Sequence, residues 1–292
     1  MFWCFYHTDL DGYCSAYVIN KKYKDEKIIF KKFNYGYYFP WYDIKKEDTV
    51  ILVDISLPIS DLFMLNGYCN LIWIDHHISI INKYKQTDIK IKGIQNTSKA
   101  ACEHTWCYFF PNETIPYFIK LLSDYDNWNN SDINYWNNEV LPFNYGMQAY
   151  SDKLDFENID RYNNFWRELE TKNLKQKIIN EGKAILNFLD IKYKEQCNAY
   201  AYFAKLDKYK LIVLNTPFLS SQIFNSIDKK LYDIMAVYRF NGQEYSVSLY
   251  TEKENINCDE IASKYNGGGH KGAAGFRCQT LPWKFIERYK KS

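Results

Sequence analysis

The chain carries no excess of charge of either sign: 37 Lys and Arg stand against 35 Asp and Glu, a formal charge of +2. Without a global field, long-range steering of a polyanion is excluded as the basis of function. Any chemistry on nucleic acid has to be local, at a pocket. No run approaches the eighteen or so apolar residues of a membrane span, and the start lacks a basic region followed by an apolar helix. A membrane partner is therefore not expected, and a cytoplasmic location is. The eight cysteines, at 4, 14, 69, 102, 107, 197, 258 and 278, include no Cys-x-x-Cys pair and no regular spacing. That excludes a zinc knuckle or a disulfide framework and leaves reduced, mostly buried thiols. Internal repeats and low-complexity tracts are missing too. Histidine is scarce, with five in 292 residues, so each position is informative.

Aromatics are plentiful: 27 Tyr, 19 Phe and 8 Trp. Most of them must be core, with a few left over to stack bases. The length is sufficient for a full core and suits two domains.

The stretch around which the chain is organised is His7-Thr8-Asp9-Leu10-Asp11-Gly12, after the apolar run Phe2 to Tyr6. If that run is a buried strand, an imidazole and two carboxylates leave its carboxyl end together, and alternate residues can aim at one point. A glycine then lets the backbone turn into a helix over about 11–23. A second strand is predicted at 28–33, and a loop rich in Tyr, Phe and Gly at 35–42. Val50 to Val53 and Leu71 to Ile74 are continuous apolar runs of the kind found in parallel strands covered on both faces. They end at Asp54 and at Asp75-His76-His77. In a parallel sheet these carboxyl ends lie along one edge, where open α/β sheets bind ligands.

Asn96 to Trp106 has hydroxyl capping residues, Ser98 among them, followed by small ones. It reads as a helix start whose free N–H groups can hold an anion. A helix over 115–122 runs into Ser123-Asp124-Tyr125-Asp126-Asn127-Trp128. Long-helix periodicity follows over 155–195. Short strands are predicted at 199–204, 211–214, 234–238 and 245–250, with short helices at 220–227 and 259–265. Then come Gly267-Gly268-Gly269-His270, a strand at 276–278 and a final helix.

Each motif has a bland explanation. His-x-Asp-x-Asp can be a capped loop, Asp54 and Asp75 can cap helices, and a triple glycine can be only a tight turn. His104, on a helical pattern, reads as packing or surface. The conjunction is what carries weight: His7, His76, His77 and His270 all sit inside these motifs, and three motifs end apolar strands. Taken in order, His7-x-Asp9-x-Asp11-Gly12, Asp54, Asp75-His76-His77, an Asp after a helix and the terminal Gly-Gly-Gly-His resemble the DHH phosphoesterase superfamily. The last of these resembles the signature of a DHH-associated C-terminal domain, in the branch that acts on short oligonucleotides.

The resemblance implies two divalent metal ions, usually manganese. His7, Asp9 and Asp54 would hold one; Asp11, Asp54, His76 and Asp124 would hold the other, with Asp126 the alternative to Asp124. Asp75 and His77 would be catalytic, Asp75 orienting ligands or water and His77 facing the phosphate. Ser98, Arg239, Gly267, Gly268, Gly269 and His270 would bind substrate. The branch commonly carries an arginine near a strand end where this chain has Tyr250, which leaves the substrate's identity open. Mixed oxygen and imidazole donors suit manganese, and carboxylates bridge hard cations naturally.

The expected architecture is α/β. A mostly parallel N-terminal sheet flanked by helices (1–150) is followed by a helical connector (151–197) and a smaller mixed domain (198–292). The expected activity is a metal-dependent phosphodiesterase acting in a cleft between the domains on short RNA or DNA oligonucleotides or dinucleotides. Cyclic-dinucleotide or nucleotide-bisphosphate hydrolysis and a non-catalytic nucleotide-binding module are the alternatives, and a homodimer is left open.

Overall fold

The structure, a computed structural model, describes residues 1–34, 36–154, 156, 159–217 and 220–290. Tyr35 and Asp155, at which the predicted loop and long helix begin, lie outside the described residues. The chain divides into two compact units, Met1–Leu186 and Asn187–Ser292.

The first unit is built on β1 (Phe2–Tyr6), whose side chains alternate between two covered faces. Trp3 and Phe5 enter one cluster with Val50, Leu52, Leu71 and Trp73. Cys4 and Tyr6 enter another with Ile51, Val53, Ile72 and Ile74. Burial on both faces is why these strands read as continuous apolar runs. Helix α1 (Leu10–Lys22) leads to β2 (Ile28–Lys32), then β3 (Thr49–Val53), α2 (Ile59–Tyr68), β4 (Asn70–Asp75), α3 (Ile78–Tyr84) and β5 (Lys92–Gln95). The sheet order is β2-β1-β3-β4-β5 and every pairing is parallel. This is a doubly wound order whose direction reverses between β1 and β3.

Helix α4 (Ala101–Phe109) and α5 (Tyr117–Asp126) follow; α6 (Ile133–Tyr135) passes through a π-helical turn at Trp136–Val140 into α7 (Leu141–Gln148). The predicted long helix is two helices, α8 (Ile159–Leu169) and α9 (Lys172–Tyr200). Gly182 of α9 lets the backbones of α7 and α9 touch, since a Cβ there would lie 1.7 Å from the Pro142 carbonyl oxygen. Helix α4 starts later than its hydroxyl residues suggested: its cap is Ala100, with no side-chain cap bond.

The second unit holds β6 (Tyr202–Leu206), β7 (Tyr209–Asn215), β8 (Ile234–Phe240), β9 (Tyr245–Tyr250), α10 (Cys258–Ser263), β10 (Gly268–Gly269), β11 (Ala273–Cys278) and β12 (Lys284–Arg288). They form one mixed sheet in the order β10-β11-β9-β8-β7-β6-β12, with β7 and β8 parallel. The predicted final helix is instead β12, an edge strand antiparallel to β6. Lys, Glu and Arg on it are suited to an exposed edge, which charge protects from pairing with other chains. Among the described residues no helix is long and apolar enough to cross a membrane.

Gly12 ties the fold to the residues before it. It sits in the first turn of α1, and a Cβ there would lie 2.2 Å from the His7 carbonyl oxygen. Its role is close approach, not the sharp turn expected from the sequence. Gly12→Ala is expected to destabilise the chain by about 3 kcal/mol or more, because the clash is with backbone. An unchanged urea midpoint would refute this close packing.

Candidate metal centre

Register sets the site. Tyr6 pairs with Val53 and Val53 with Ile74, so His7, Asp54 and Asp75 leave the sheet at the same level. That level lies at the carboxyl edge beside the switch in strand order, where such sheets take their ligands. His7 Nδ1 is 2.6 Å from Asp9 Oδ2 and 3.6 Å from Asp54 Oδ2. His76 Nε2 lies 3.1 Å from Asp126 Oδ2, 3.3 Å from Asp54 Oδ1 and 3.6 Å from Asp11 Oδ2. Three groups of donor atoms, each within 4.8 Å of one another, result: His7, Asp9 and Asp54; Asp11, His76 and Asp126; and Asp54, His76 and His77.

Each donor is held by the fold. Asp54 has a left-handed backbone, φ 57°, a conformation that Asp tolerates better than most residues. Its amide donates to Ile74 O at 3.0 Å. Asp9 caps α1 by accepting from Gly12 N at 2.9 Å. Asp11 accepts from the Ala101 and Cys102 amides at 2.9 and 2.7 Å. The anion expected at the start of α4 is thus a carboxylate of the chain itself, in keeping with the positive end of a helix. Asp75, fully buried, accepts from the amides of His76 and His77 and from His77 Nδ1 at 2.7 Å. His76 Nδ1 donates to Asn127 Oδ1 at 3.3 Å, which leaves Nε2 to face the carboxylates. A ring nitrogen fixed this way is the usual arrangement for a metal-ligating histidine.

The end of α5 carries the two carboxylates that the sequence leaves as alternatives. Asp126, not Asp124, is the carboxylate brought to His76 and Asp11. Asp124 points elsewhere, accepting from Asn129 Nδ2 at 2.7 Å and from the Tyr135 hydroxyl at 3.0 Å. Residues two apart at a helix end face different directions, and the spacing to Trp128 could not separate them. Asn127 went unnoticed for the same reason, since no motif marks it. His104 is a packing residue whose Nε2 donates to Asn96 O at 2.8 Å. Ser98 is exposed beside the cluster and lines a cavity with Asn127 and Trp128.

The remaining expected substrate contacts are in the second unit. Gly268 and Gly269, which form β10, and His270 just after it are exposed, whereas Gly267 packs against β11, where a Cβ would lie 2.2 Å from Gly275 O. The Gly269 amide already donates to Asp259 Oδ1 at 2.9 Å and the His270 amide to Ala273 O at 2.7 Å. These two N–H groups are thus engaged within the unit. Arg239 is exposed near the end of β8.

Electrostatically the cluster is short of positive charge. Burial and the neighbouring Asp11 and Asp9 push the Asp54 carboxyl well up. Desolvation and Asp11 push Asp126 up to about 7. Burial lowers the basicity of His7, but Asp54 and Asp9 outweigh it and raise the ring to about 10. His76 and His77 are raised likewise, against burial, by Asp11, Asp126 and Asp75 for the former and chiefly by Asp75 for the latter. Among the described residues no lysine or arginine pairs with Asp9, Asp11, Asp54, Asp75 or Asp126. Asp54 Oδ2 and Asp75 Oδ2 are buried without a hydrogen-bond partner, a costly condition that a cation near Asp54 would relieve. Hard oxygen donors mixed with imidazole fit a divalent ion such as manganese or magnesium.

No protein-family model matches the chain. An uncharacterised protein of Acanthamoeba polyphaga mimivirus is 23% identical over 288 residues; the match covers 93% of this chain and 57% of the viral protein. The chain thus spans just over half the length of that relative. Among solved structures, the DHH domain of a member of a ribosomal-protein family is similar with a TM-score of 0.52 at 13% identity, over 98% of this chain and 82% of the other. An exopolyphosphatase-related protein of Bacteroides fragilis is similar with a TM-score of 0.50 at 16% identity, over 96% and 87%.

Two expectations follow for the cluster. Asp126→Asn should weaken manganese binding at least tenfold, while Asp124→Asn leaves it within about twofold, as read by calorimetry. Because burial and Asp11 raise Asp126, and neighbouring carboxylates raise His7 and His76, a cation held by them must displace protons, and affinity should rise from pH 6 to pH 8 with proton release. Equal affinities at both values would refute this charge balance.

Proposed function

We propose that this chain, which has the fold of the DHH phosphoesterase superfamily, is a divalent-metal-dependent phosphodiesterase acting on short oligonucleotides or dinucleotides. The observation that carries the reading is the sharing of Asp54 between two carboxylate and imidazole groups, with one of its oxygens buried and without a hydrogen bond. His7, Asp9 and Asp54 would hold one ion; Asp11, Asp54, His76 and Asp126 would hold the second. Bound there, two divalent ions supply a water of lowered pKa and positive charge to offset the developing charge of an in-line displacement.

The chain's own residues have separate tasks. Asp54 would set the spacing of the two groups because it is buried and belongs to both. Asp11, fixed by two amides, keeps a carboxylate from swinging away when the charge nearby changes. Asp75 holds His77 by Nδ1 and favours its charged form, in which Nε2–H would donate to a non-bridging phosphate oxygen. No side chain in the cluster has to become covalently attached to substrate. Ser98, Arg239 and the Gly267 to His270 turn are the proposed substrate contacts. The near neutrality of the whole chain favours small substrates over a long strand that would need an extended basic track.

The experiment is a digest of end-labelled RNA and DNA oligonucleotides of two to twenty nucleotides, with manganese or with chelator. Turnover of the two- to five-mers that requires manganese and falls at least a thousandfold in Asp54→Asn is expected; asparagine preserves the left-handed backbone while removing the charge. Undiminished turnover in that variant would falsify the two-metal reading. In the same assay His270→Ala should raise KM severalfold with kcat little changed, and an unaltered KM would remove His270 from substrate binding.

A further inference from the structure

The loop that brings Asp126 and Asn127 to the cluster also builds a cavity of about 320 Å³, lined by Ser98, Lys99, Asp124, Asn127, Trp128 and Asn129 among others. Trp128 is held there in an unusual way. It is 52% exposed, and its backbone is left-handed with φ 54°, which is a real departure for a bulky side chain. The conformation is secured from both sides: the Trp128 amide donates to Tyr125 O at 3.1 Å, and its carbonyl accepts from Asn130 N at 3.0 Å. The indole packs against a ring cluster, with Trp136 at 5.1 Å and Tyr125 at 6.3 Å between centroids, and still leaves about half of the residue exposed. Asp124 holds the far side of the loop through Asn129, by a side-chain and a backbone bond. Strain kept in place by surrounding structure to present a wet aromatic surface has no account in packing alone.

The geometry points to a nucleobase site: the base attached to the phosphate at the carboxylate and imidazole cluster stacks on Trp128. Adjacency fixes the occupant, because Asn127 both lines the cavity and accepts from the His76 ring. Charge fixes its chemistry. Among the described lining residues Lys99 is the one cation, and its Nζ lies 3.1 Å from Glu103, a buried carboxylate that needs it. With Asp124 also on the wall, the cavity has no positive charge to offer a second phosphate and suits an uncharged planar ring with polar edges. Stacking on an aromatic face tolerates any base, so the site gives affinity for a nucleotide without strict sequence preference. The inference rests on the phosphodiesterase reading for the position of the phosphate.

The test is calorimetric titration of the full chain in manganese buffer with AMP and with ribose 5-phosphate, neither of which is a phosphodiester. The parent chain and Trp128→Tyr should bind AMP at least tenfold more tightly than ribose 5-phosphate. Trp128→Ala should weaken AMP about tenfold and leave ribose 5-phosphate unchanged. AMP affinity within twofold of the parent in Trp128→Ala, parallel loss of both ligands, or no AMP binding by the parent chain would each overturn the proposal. Trp128-dependent AMP binding in a chain that never cleaves dinucleotides would leave the base site standing and sink the phosphodiesterase reading alone. Dinucleotide turnover with Trp128-independent affinity would do the reverse.

Discussion

Asp9, Asp11, Asp54, Asp75 and Asp126 converge where the strands of the parallel sheet end, and among the described residues no lysine or arginine pairs with any of them. Like charges brought together in a poorly solvated place repel strongly, and proteins tolerate this only by protonation, by pairing or by binding a cation. The raised carboxyls of Asp54 and Asp126 and the raised imidazoles of His7, His76 and His77 are the same stress seen from both sides. Everything else in the first unit serves to keep these groups in place against that repulsion.

The means are backbone devices. Parallel register brings three strand ends level, Asp54 at the end of β3 takes a left-handed backbone and faces both His7 and His76, and Gly12 allows α1 to start in contact with the His7 carbonyl. The start of α4 contributes two amides to Asp11 from ninety residues away. A site on strand ends and helix starts inherits their rigidity, which side chains on loops would lack. A second left-handed residue, Trp128, lies in the adjoining loop; each such conformation costs on the order of 1–3 kcal/mol, and the ring cluster around Trp136 bears that cost.

Much of this was legible in the sequence because the strands are buried on both faces, and such strands announce themselves as unbroken apolar runs ending in polar residues. The α/β class, the three strand ends and the gathering of His7, Asp9, Asp11, Asp54 and His76 at one edge followed from that pattern. What could not be read was direction. Asp124 and Asp126 are equivalent on paper, and only the packing of α5 decides which carboxylate turns toward His76. The amides that hold Asp11 belong to an apolar-looking helix start with no motif, so a hydroxyl cap was expected where Ala100 stands. The closing strand β12 reads as a helix in the sequence because an exposed edge strand has no buried face to impose alternation.

The bond from Asp11 to the start of α4 also governs what an unfolded copy of the chain can do. Donor atoms drawn from residues as far apart as His7 and Asp126 share a centre only after the sheet has closed and α4 has docked. A loose chain offers scattered single ligands of little affinity. A cation held by these donors would therefore act as a thermodynamic clamp on the native state alone, by mass action. On the two-ion reading its withdrawal would loosen the first unit as well as stop turnover, and metal supply would then set how much folded protein persists.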